Sequence, residues 1–343
     1  MATTSDPRPT ITILGSLNID FITLTPRLPS PGETLSATSF TTGYGGKGAN
    51  QAVACARLSP PDYHVRMLGK VGDDTFGGEY LDALRKEGMD VEGVRIVQGG
   101  KTGVTNIIVE EGTGENRILF VANANQEFEA EENLVNSRNG AAGRREVVVL
   151  QLEIPLETVL HNLSLASTAG SHTIFNPAPA IPLPDSAYPH ISTLIMNETE
   201  AGIISSSSSS STTSSSSPTN KQEEEAEPSI PSLLTLAKSF LARGVKETVI
   251  ITLGGKGLVY ATRAGGEGHV EAESVKVVDT TAAGDTFVGG YAVQRAKALV
   301  EEVEGEKEWD VARALGFATK AAARTVERAG AMSAIPYLKE VEL

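Results

Sequence analysis

Cysteine is all but missing. Cys55 is the only one, so no internal disulfide can form and no cysteine-based zinc site can be built. Histidine is scarce as well, and the five present show no H-x-x-x-H spacing. Positive charge is outnumbered, with 29 Lys and Arg against 43 Asp and Glu, a formal net charge of −14. With no Lys/Arg cluster to offset it, a nucleic-acid partner is not expected, and an anionic substrate would need basic groups gathered locally. Long apolar runs are absent: none approaches the ~20 residues of a membrane span. The polar stretch Met1–Pro9, with two prolines, lacks the apolar core of a signal peptide. A soluble intracellular protein without membrane partner is the expectation. What is present is ample: 343 residues, 40% hydrophobic, enough for one large α/β domain or two smaller ones.

One stretch organises the rest, Asp279-Thr-Thr-Ala-Ala-Gly-Asp285-Thr-Phe287. An alternating apolar segment, Val275 to Val278, leads into it as a strand. A helical pattern leaves it through Phe287, Tyr291, Ala296 and Leu299. Ala282, Ala283 and Gly284 carry almost no side chain at the junction, so backbone N–H groups could face one anion at a helix N-terminus. Asp285 follows in the first turn, where the helix dipole favours its charged form. An anion hole with a carboxylate beside it is what phosphoryl transfer to a hydroxyl requires. The same residues also fit a capped helix after a small-residue turn.

Other polar candidates follow successive apolar runs. Thr10–Leu14 is followed by Gly15-Ser-Leu-Asn18-Ile-Asp20, an arrangement met at the carboxyl edge of a parallel sheet and equally at an Asx turn. Gly43-Tyr-Gly45-Gly46-Lys47-Gly48-Ala49-Asn50 opens a helix but fails the P-loop pattern, since Gly48 stands where Ser or Thr is needed. Its glycines suit close backbone approach to a ligand, with Lys47 and Asn50 as donors. From residue 146 the texture becomes β-α-β, which implies a parallel sheet covered on both faces. Glu153 ends one of its strands, where a carboxylate needs partners. The Thr-rich strands within 19–44 and the pair within 100–123 suggest a small antiparallel sheet acting as a lid. Residues 205–229, nearly all Ser, Thr and Glu, cannot bury a core and read as a disordered insertion within one domain.

In this order, Gly15-Ser-Leu-Asn-Ile-Asp20, Pro31-Gly-Glu-Thr34, Gly45-Gly-Lys-Gly-Ala-Asn-Gln-Ala-Val53, Asn197-Glu-Thr-Glu200, Thr252-Leu-Gly-Gly-Lys-Gly257 and Asp279–Phe287 resemble the PfkB-type carbohydrate kinases, in their ribokinase branch. The resemblance runs from about Ile11 to Tyr337. It implies an α/β/α sandwich with a mostly parallel sheet and a small β lid that also forms a homodimer contact. It implies ATP-dependent phosphorylation of D-ribose at the 5-hydroxyl, with Mg2+ and K+, in the cytoplasm and also the nucleus. Residue by residue, Asn18, Asp20, Gly46, Lys47, Asn50, Glu153 and Asp285 would hold the sugar. Asn197, Thr252, Leu253, Gly254, Gly255, Lys256, Gly257, Gly284 and Thr319 would hold the nucleotide. Ala282, Ala283 and Gly284 would form the anion hole, with Asp285 as base. Glu200 would organise the magnesium network. Asp279, Thr281, Thr325, Arg328 and Gly330 would hold potassium.

The chain departs from the pattern in three places. Ala334 stands where a serine closes the potassium site, Thr319 where an adenine-contacting His or Asn is usual, and the Ser/Glu insertion has no counterpart in compact members. Another sugar or nucleoside kinase of the same fold is the alternative. A sugar-binding regulator without activity is disfavoured by the intact Gly284 and Asp285. A dinucleotide oxidoreductase is disfavoured by the lack of G-x-G-x-x-G after the first strand.

Overall fold

A computed structural model describes residues 8–113, 115–135, 146–206, 228–304 and 309–342. The chain runs β1 (Thr10–Leu14), β2 (Asn18–Thr25), β3 (Ser39–Gly45), α1 (Lys47–Leu58), β4 (His64–Gly72), α2 (Thr75–Lys86), β5 (Asp90–Val97), β6 (Gly103–Glu110), β7 (Asn116–Val121) and β8 (Glu146–Leu150). Then come α3 (Leu156–Ala169), β9 (His172–Phe175), β10 (Thr193–Asn197), α4 (Glu198–Ser206), α5 (Ile230–Arg243), β11 (Thr248–Thr252), β12 (Leu258–Thr262), β13 (Glu267–Val270), α6 (Ala283–Glu304), α7 (Val311–Val326) and α8 (Leu338–Val341).

Nine strands form the main sheet in the order β13-β12-β11-β10-β9-β8-β1-β4-β5. All pairings are parallel from β11 across to β5, and β12 and β13 add an antiparallel edge. Residues alternate faces along each strand. Ile11, Ile13, Val147 and Val149 pack under α1, α6 and α7, while Leu14, Val148 and Leu150 pack under α3 and α5. Both faces are therefore buried, and the strands read as continuous apolar runs. This is the expected α/β/α sandwich.

Chain order reverses at β1, with β4 on one side and β8 on the other. Leu14 pairs with Leu150, so residues 15–17 and 151–153 emerge side by side at the carboxyl edge of this switch point, where open α/β sheets bind ligands. A second sheet, ordered β3-β2-β6-β7, stands beyond that edge. Its β2–β6 pairing is parallel, so the lid is not wholly antiparallel as its hairpin signals suggested. Hairpin signals report only neighbours in sequence, and this pairing joins strands that the first half of the main sheet separates.

Two local expectations change. Residues 275–278 form no strand: Val277 and Val278 are more than half exposed, and the N–H groups of Val278 and Asp279 both donate to the Val326 carbonyl. Two alternations are too short a run to separate a strand from an extended strap. Strands β5 and β13, not anticipated from the sequence, are edge strands with mixed exposure; β5 carries Val91, Val94, Ile96 and Val97 without a strict alternation, and β13 has Val270 alone. The insertion 205–229 lies outside the described residues from 207 to 227; α4 reaches Ser206, and α5 begins at Ile230 under a Ser229 cap. No helix among the described residues is long and apolar enough to cross a membrane.

Candidate active site

A cavity of about 240 Å3 opens at the carboxyl edge, with Lys47, Asn197, Glu200, Thr252, Ala282, Gly284 and Asp285 in its wall. Lys47 comes from α1, Asn197 from β10, Glu200 from α4 and Thr252 from β11, while Gly284 and Asp285 come from the start of α6 and Ala282 immediately precedes it. α6 brings Asp285 in its first turn, where the helix's leading N–H groups have no acceptor four residues back. Ala283 N–H turns to the Thr280 carbonyl at 3.3 Å. Ala282 takes a left-handed conformation, φ +60°, which an alanine adopts only at a cost of about 1–2 kcal/mol. A Cβ on Gly284 would meet no protein atom within 4 Å, so bare backbone faces open space there.

Asp285 is 7% exposed and both its oxygens are held. Asn50 Nδ2 donates to Oδ2 and Gln51 Nε2 to Oδ1, each at 3.0 Å. These donors are consecutive residues of α1, whose close approach to α6 depends on Gly289: a Cβ there would lie 2.5 Å from the Ala54 Cβ. Asn50 Oδ1 is buried without a partner among the described residues, an acceptor left over beside the carboxylate.

Lys47 starts α1 after Gly46, whose φ of +92° requires glycine, since a Cβ would also lie 2.9 Å from the Asn18 nitrogen. Burial works against the Lys47 charge, but Asp285, Glu153 and Glu200 outweigh it and hold the ammonium above the ordinary lysine pKa. Glu153 Oε2 accepts from the Ser16 hydroxyl at 2.6 Å and the Lys47 N–H at 2.9 Å, which satisfies the carboxylate at the strand end. Asn197 and Glu200 bond reciprocally, Asn197 N–H to Glu200 Oε2 and Glu200 N–H to Asn197 Oδ1, both 2.8 Å. That is a capping box at the start of α4. Burial nevertheless raises the Glu200 pKa, with Asp285 adding to the effect and the Asn197 N–H and Lys47 opposing it.

β2 carries the next pair. Asn18 is 2% exposed, and its Oδ1 accepts from Asn125 Nδ2 at 2.7 Å. Asp20 is 7% exposed and fills the space over Gly45, where a Cβ would lie 2.1 Å from Oδ2. Burial pushes its pKa up to about 6, Glu153 adds to this, and the Thr105 hydroxyl opposes it.

Asn18, Asp20, Gly46, Asn50, Glu153 and Ala283 do not line the cavity itself, and the other expected residues also lie apart from its wall. Leu253 and the turn Gly254–Lys256 follow Thr252 on the same sheet edge, and Gly257, at φ +88°, passes so close to β13 that a Cβ would overlap the Val270 carbonyl. Thr319 sits on α7 outside the cavity wall, its hydroxyl buried without a partner. The proposed potassium residues converge behind α6. Asp279 Oδ1 accepts from the Thr281 hydroxyl (2.6 Å) and N–H (2.9 Å), and Oδ2 accepts from the Gly330 N–H at 2.9 Å. Burial opposes the Asp279 charge, but these donors outweigh it and hold its carboxyl below the usual range. Thr325 turns its hydroxyl to Thr286 and Ala321, and Arg328 pairs with Glu340, so neither side chain is turned to a cation. Ala334 is fully buried, while the Ser333 hydroxyl faces Gly330.

Sequence reasoning missed the amides that pack around Asp285. Gln51, Gln151 and Asn176 are almost fully buried. The signal for two of them was an amide beside an apolar run: Asn-Gln before Ala-Val-Ala-Cys for Gln51, and Val-Val-Val-Leu before Gln151. Asn125, which brackets both the N–H and the carbonyl of Leu17 and steadies Asn18, lay in a stretch without a motif.

Residues 8–338 match the family model described as pfkB family carbohydrate kinase. The chain belongs to that family. A ribokinase of Schizosaccharomyces pombe is 41% identical over 97% of this chain and 96% of its own length. One of Haemophilus influenzae is 35% identical, with 97% of each chain covered. The structure of Arabidopsis thaliana ribokinase complexed with ribose and ATP superposes with a TM-score of 0.78 at 28% identity, covering 98% of each chain. This carbohydrate kinase is therefore a phosphotransferase with an alcohol group as acceptor, built on the ribokinase fold.

Proposed function

We propose that this kinase transfers the γ-phosphoryl group of ATP to the 5-hydroxyl of D-ribose. One observation carries the reading: a buried carboxylate, Asp285, held on both oxygens at the N-terminus of α6, opens on a cavity that it shares with Lys47 and the bare backbone of Gly284. Asn18, Asp20, Gly46, Lys47, Asn50 and Glu153 surround the sugar, and Asp20 accepts from a vicinal pair of hydroxyls, a role suited to two carboxylate oxygens. Asp285 takes the proton as the sugar oxygen bonds to the γ-phosphorus. The bond from that phosphorus to the bridging oxygen breaks, and ADP leaves. The N–H groups of Ala282 and Gly284, joined by that of Ala283 once it leaves the Thr280 carbonyl, stabilise the charge on the phosphoryl oxygens in flight. Asn197 and Thr252 line the cavity on the nucleotide's side, and Leu253, Gly254–Gly257 and Thr319, outside its wall, would complete the nucleotide's path. The near-complete likeness to proteins named ribokinase, one of them solved with ribose and ATP, supports the choice of sugar.

Mg2+ bound to the nucleotide would neutralise phosphate charge, with Glu200, whose carboxylate faces the cavity beside Lys47, as the residue that orders its shell. The loops at Asp279–Thr281 and Thr325–Gly330, stapled by Asp279, fit a potassium ion held mainly by carbonyl oxygens. A lid-to-lid homodimer is supported by β7, a sheet edge whose Ile118, Leu119, Phe120 and Val121 are all exposed.

The deciding experiment is ATP consumption against a panel of pentoses, deoxyribose, hexoses and nucleosides, with the phosphorylated carbon located by NMR. Ribose is expected to give the highest kcat/KM, with product substituted at carbon 5. A hexose or nucleoside ahead of ribose would overturn the assignment.

A further inference from the structure

Beneath the cavity lies a chain of side-chain amides to which phosphoryl transfer assigns no step. Its direction is set at one end by a group that can only accept. Asn176 Nδ2 donates to the Ile195 carbonyl at 2.9 Å, which leaves Asn176 Oδ1 facing Gln51. Gln51 Nε2 donates one hydrogen to that oxygen and the other to Asp285 Oδ1, both at 3.0 Å. Gln51 Oε1 accepts in turn from Gln151 Nε2 at 2.6 Å. Turning the Gln51 amide over would set its oxygen against both Asp285 and Asn176 Oδ1, two acceptors. The network therefore presents an N–H donor, and no other polarity, to the carboxylate. Space for it is cut in the backbone: the Gln151 oxygen lies 2.0 Å from where a Cβ on Gly15 would stand.

We propose that Gln51 is a positioning residue that fixes the plane of the Asp285 carboxylate for proton acceptance. The proposal rests on Asp285 being the base. A carboxylate bonded only by Asn50 could turn about its terminal torsion, which is soft. With Gln51 on the second oxygen the plane is fixed, and the remaining lone pairs are left to the cavity. A fully buried glutamine in a run of Ala, Val and Cys is costly unless every polar atom is bonded, and here they are. The charged groups facing Asp285 are Lys47 on α1 and Glu200 on α4, with Glu153 beyond Lys47. β8 and the end of β9 contribute only amides, Gln151 and Asn176.

The test measures kcat and KM across pH for two variants at saturating ATP. Gln51→Met keeps the shape and removes the donor. Its kcat is expected to fall about 10- to 100-fold, with KM for ribose within a factor of about two. Gln51→Glu sets a second carboxylate against Asp285. The pair then shares a proton, and the acid limb of kcat moves up by about two pH units. Wild-type kcat and an unmoved acid limb in both variants would overturn the proposal. So would losses of kcat and KM that merely track a lowered Tm, the mark of a packing role. If neither variant folds, Gln151→Met decides between the two roles, since it frees Gln51 without touching Asp285: lower kcat at unchanged KM supports positioning, and unchanged kinetics refute it. Should Asp285→Asn itself retain turnover, the base assignment fails instead, so the two failures are separable.

Discussion

At the scale of single residues, two buried carboxylates, Asp285 and Asp20, are given different surroundings and, in the proposed mechanism, different work. Asp285 accepts amide donors on both oxygens. Asp285→Asn keeps the shape and loses the basicity, so turnover is expected to fall about 10²–10⁴-fold while calorimetry still detects ribose. Turnover within a factor of about three of wild type would remove Asp285 from the mechanism. Asp20, buried by Gly45 and the lid, has its pKa raised to about 6. Below that pH it is protonated and loses acceptor capacity, so KM for ribose should climb as pH falls through about 6, with kcat at saturation little changed. The stability effect has the opposite sense. Because the folded state holds this proton more tightly than the unfolded chain, the stability it contributes is full below the ordinary Asp range and lost as pH rises through about 6. Asp20→Asn should flatten both trends. A pH-independent KM in wild type would refute the assignment.

At the scale of elements, the proposed catalytic geometry depends on how closely α1 and α6 approach. Asn50 and Gln51 belong to one helix and Asp285 to the other, and Gly289 lets them meet. Gly289→Ala forces the added methyl against Ala54, which is itself packed and cannot swing away. Overpacking of this kind costs about 1–3 kcal/mol, and the helix shift should lower kcat more than it raises either KM. A variant with unchanged Tm and kcat would show that the interface has slack. The loop between α7 and α8 offers a second case. A cation held by carbonyls near Thr281 would act on the anion hole through backbone geometry alone. We expect potassium to raise kcat at constant ionic strength. Ala334→Ser should lower the half-saturating concentration, and Ser333→Ala should raise it, because the Ser333 hydroxyl is the one facing Gly330. Identical titrations for all three proteins would exclude both positions, and no response to potassium would exclude the ion.

At the scale of the whole molecule, the second sheet ends in an edge strand with four consecutive exposed apolar residues. A monomer would leave an aggregation-prone edge in water, and a second copy would cover it. Ile118→Lys together with Phe120→Lys, two positions on one side of β7, is therefore expected to convert a dimer into a monomer in sedimentation velocity. A wild-type protein that sediments as a monomer at micromolar concentration would overturn the lid-to-lid reading.

What the sequence determined by itself were the features that depend on near neighbours. Apolar runs alternating with amphipathic segments specified a parallel sheet covered by helices, because burial on both faces leaves no polar period of two. The stretch from Asp279 to Phe287 carried the proposed anion hole and the proposed base together, because a helix N-terminus needs only a few consecutive residues. Only the tertiary structure decided what depends on residues far apart in the chain. The alternating segment 275–278 had no strand to pair with, and its valines stayed exposed. β2 and β6 paired in parallel across the lid, a choice no hairpin turn could signal. The amide of Gln51 reaches Asp285 from a position 234 residues away. Nothing local marks a glutamine in a helix as a donor to a carboxylate; the meaning comes from the close packing of α1 on α6, and that packing is a property of the folded chain.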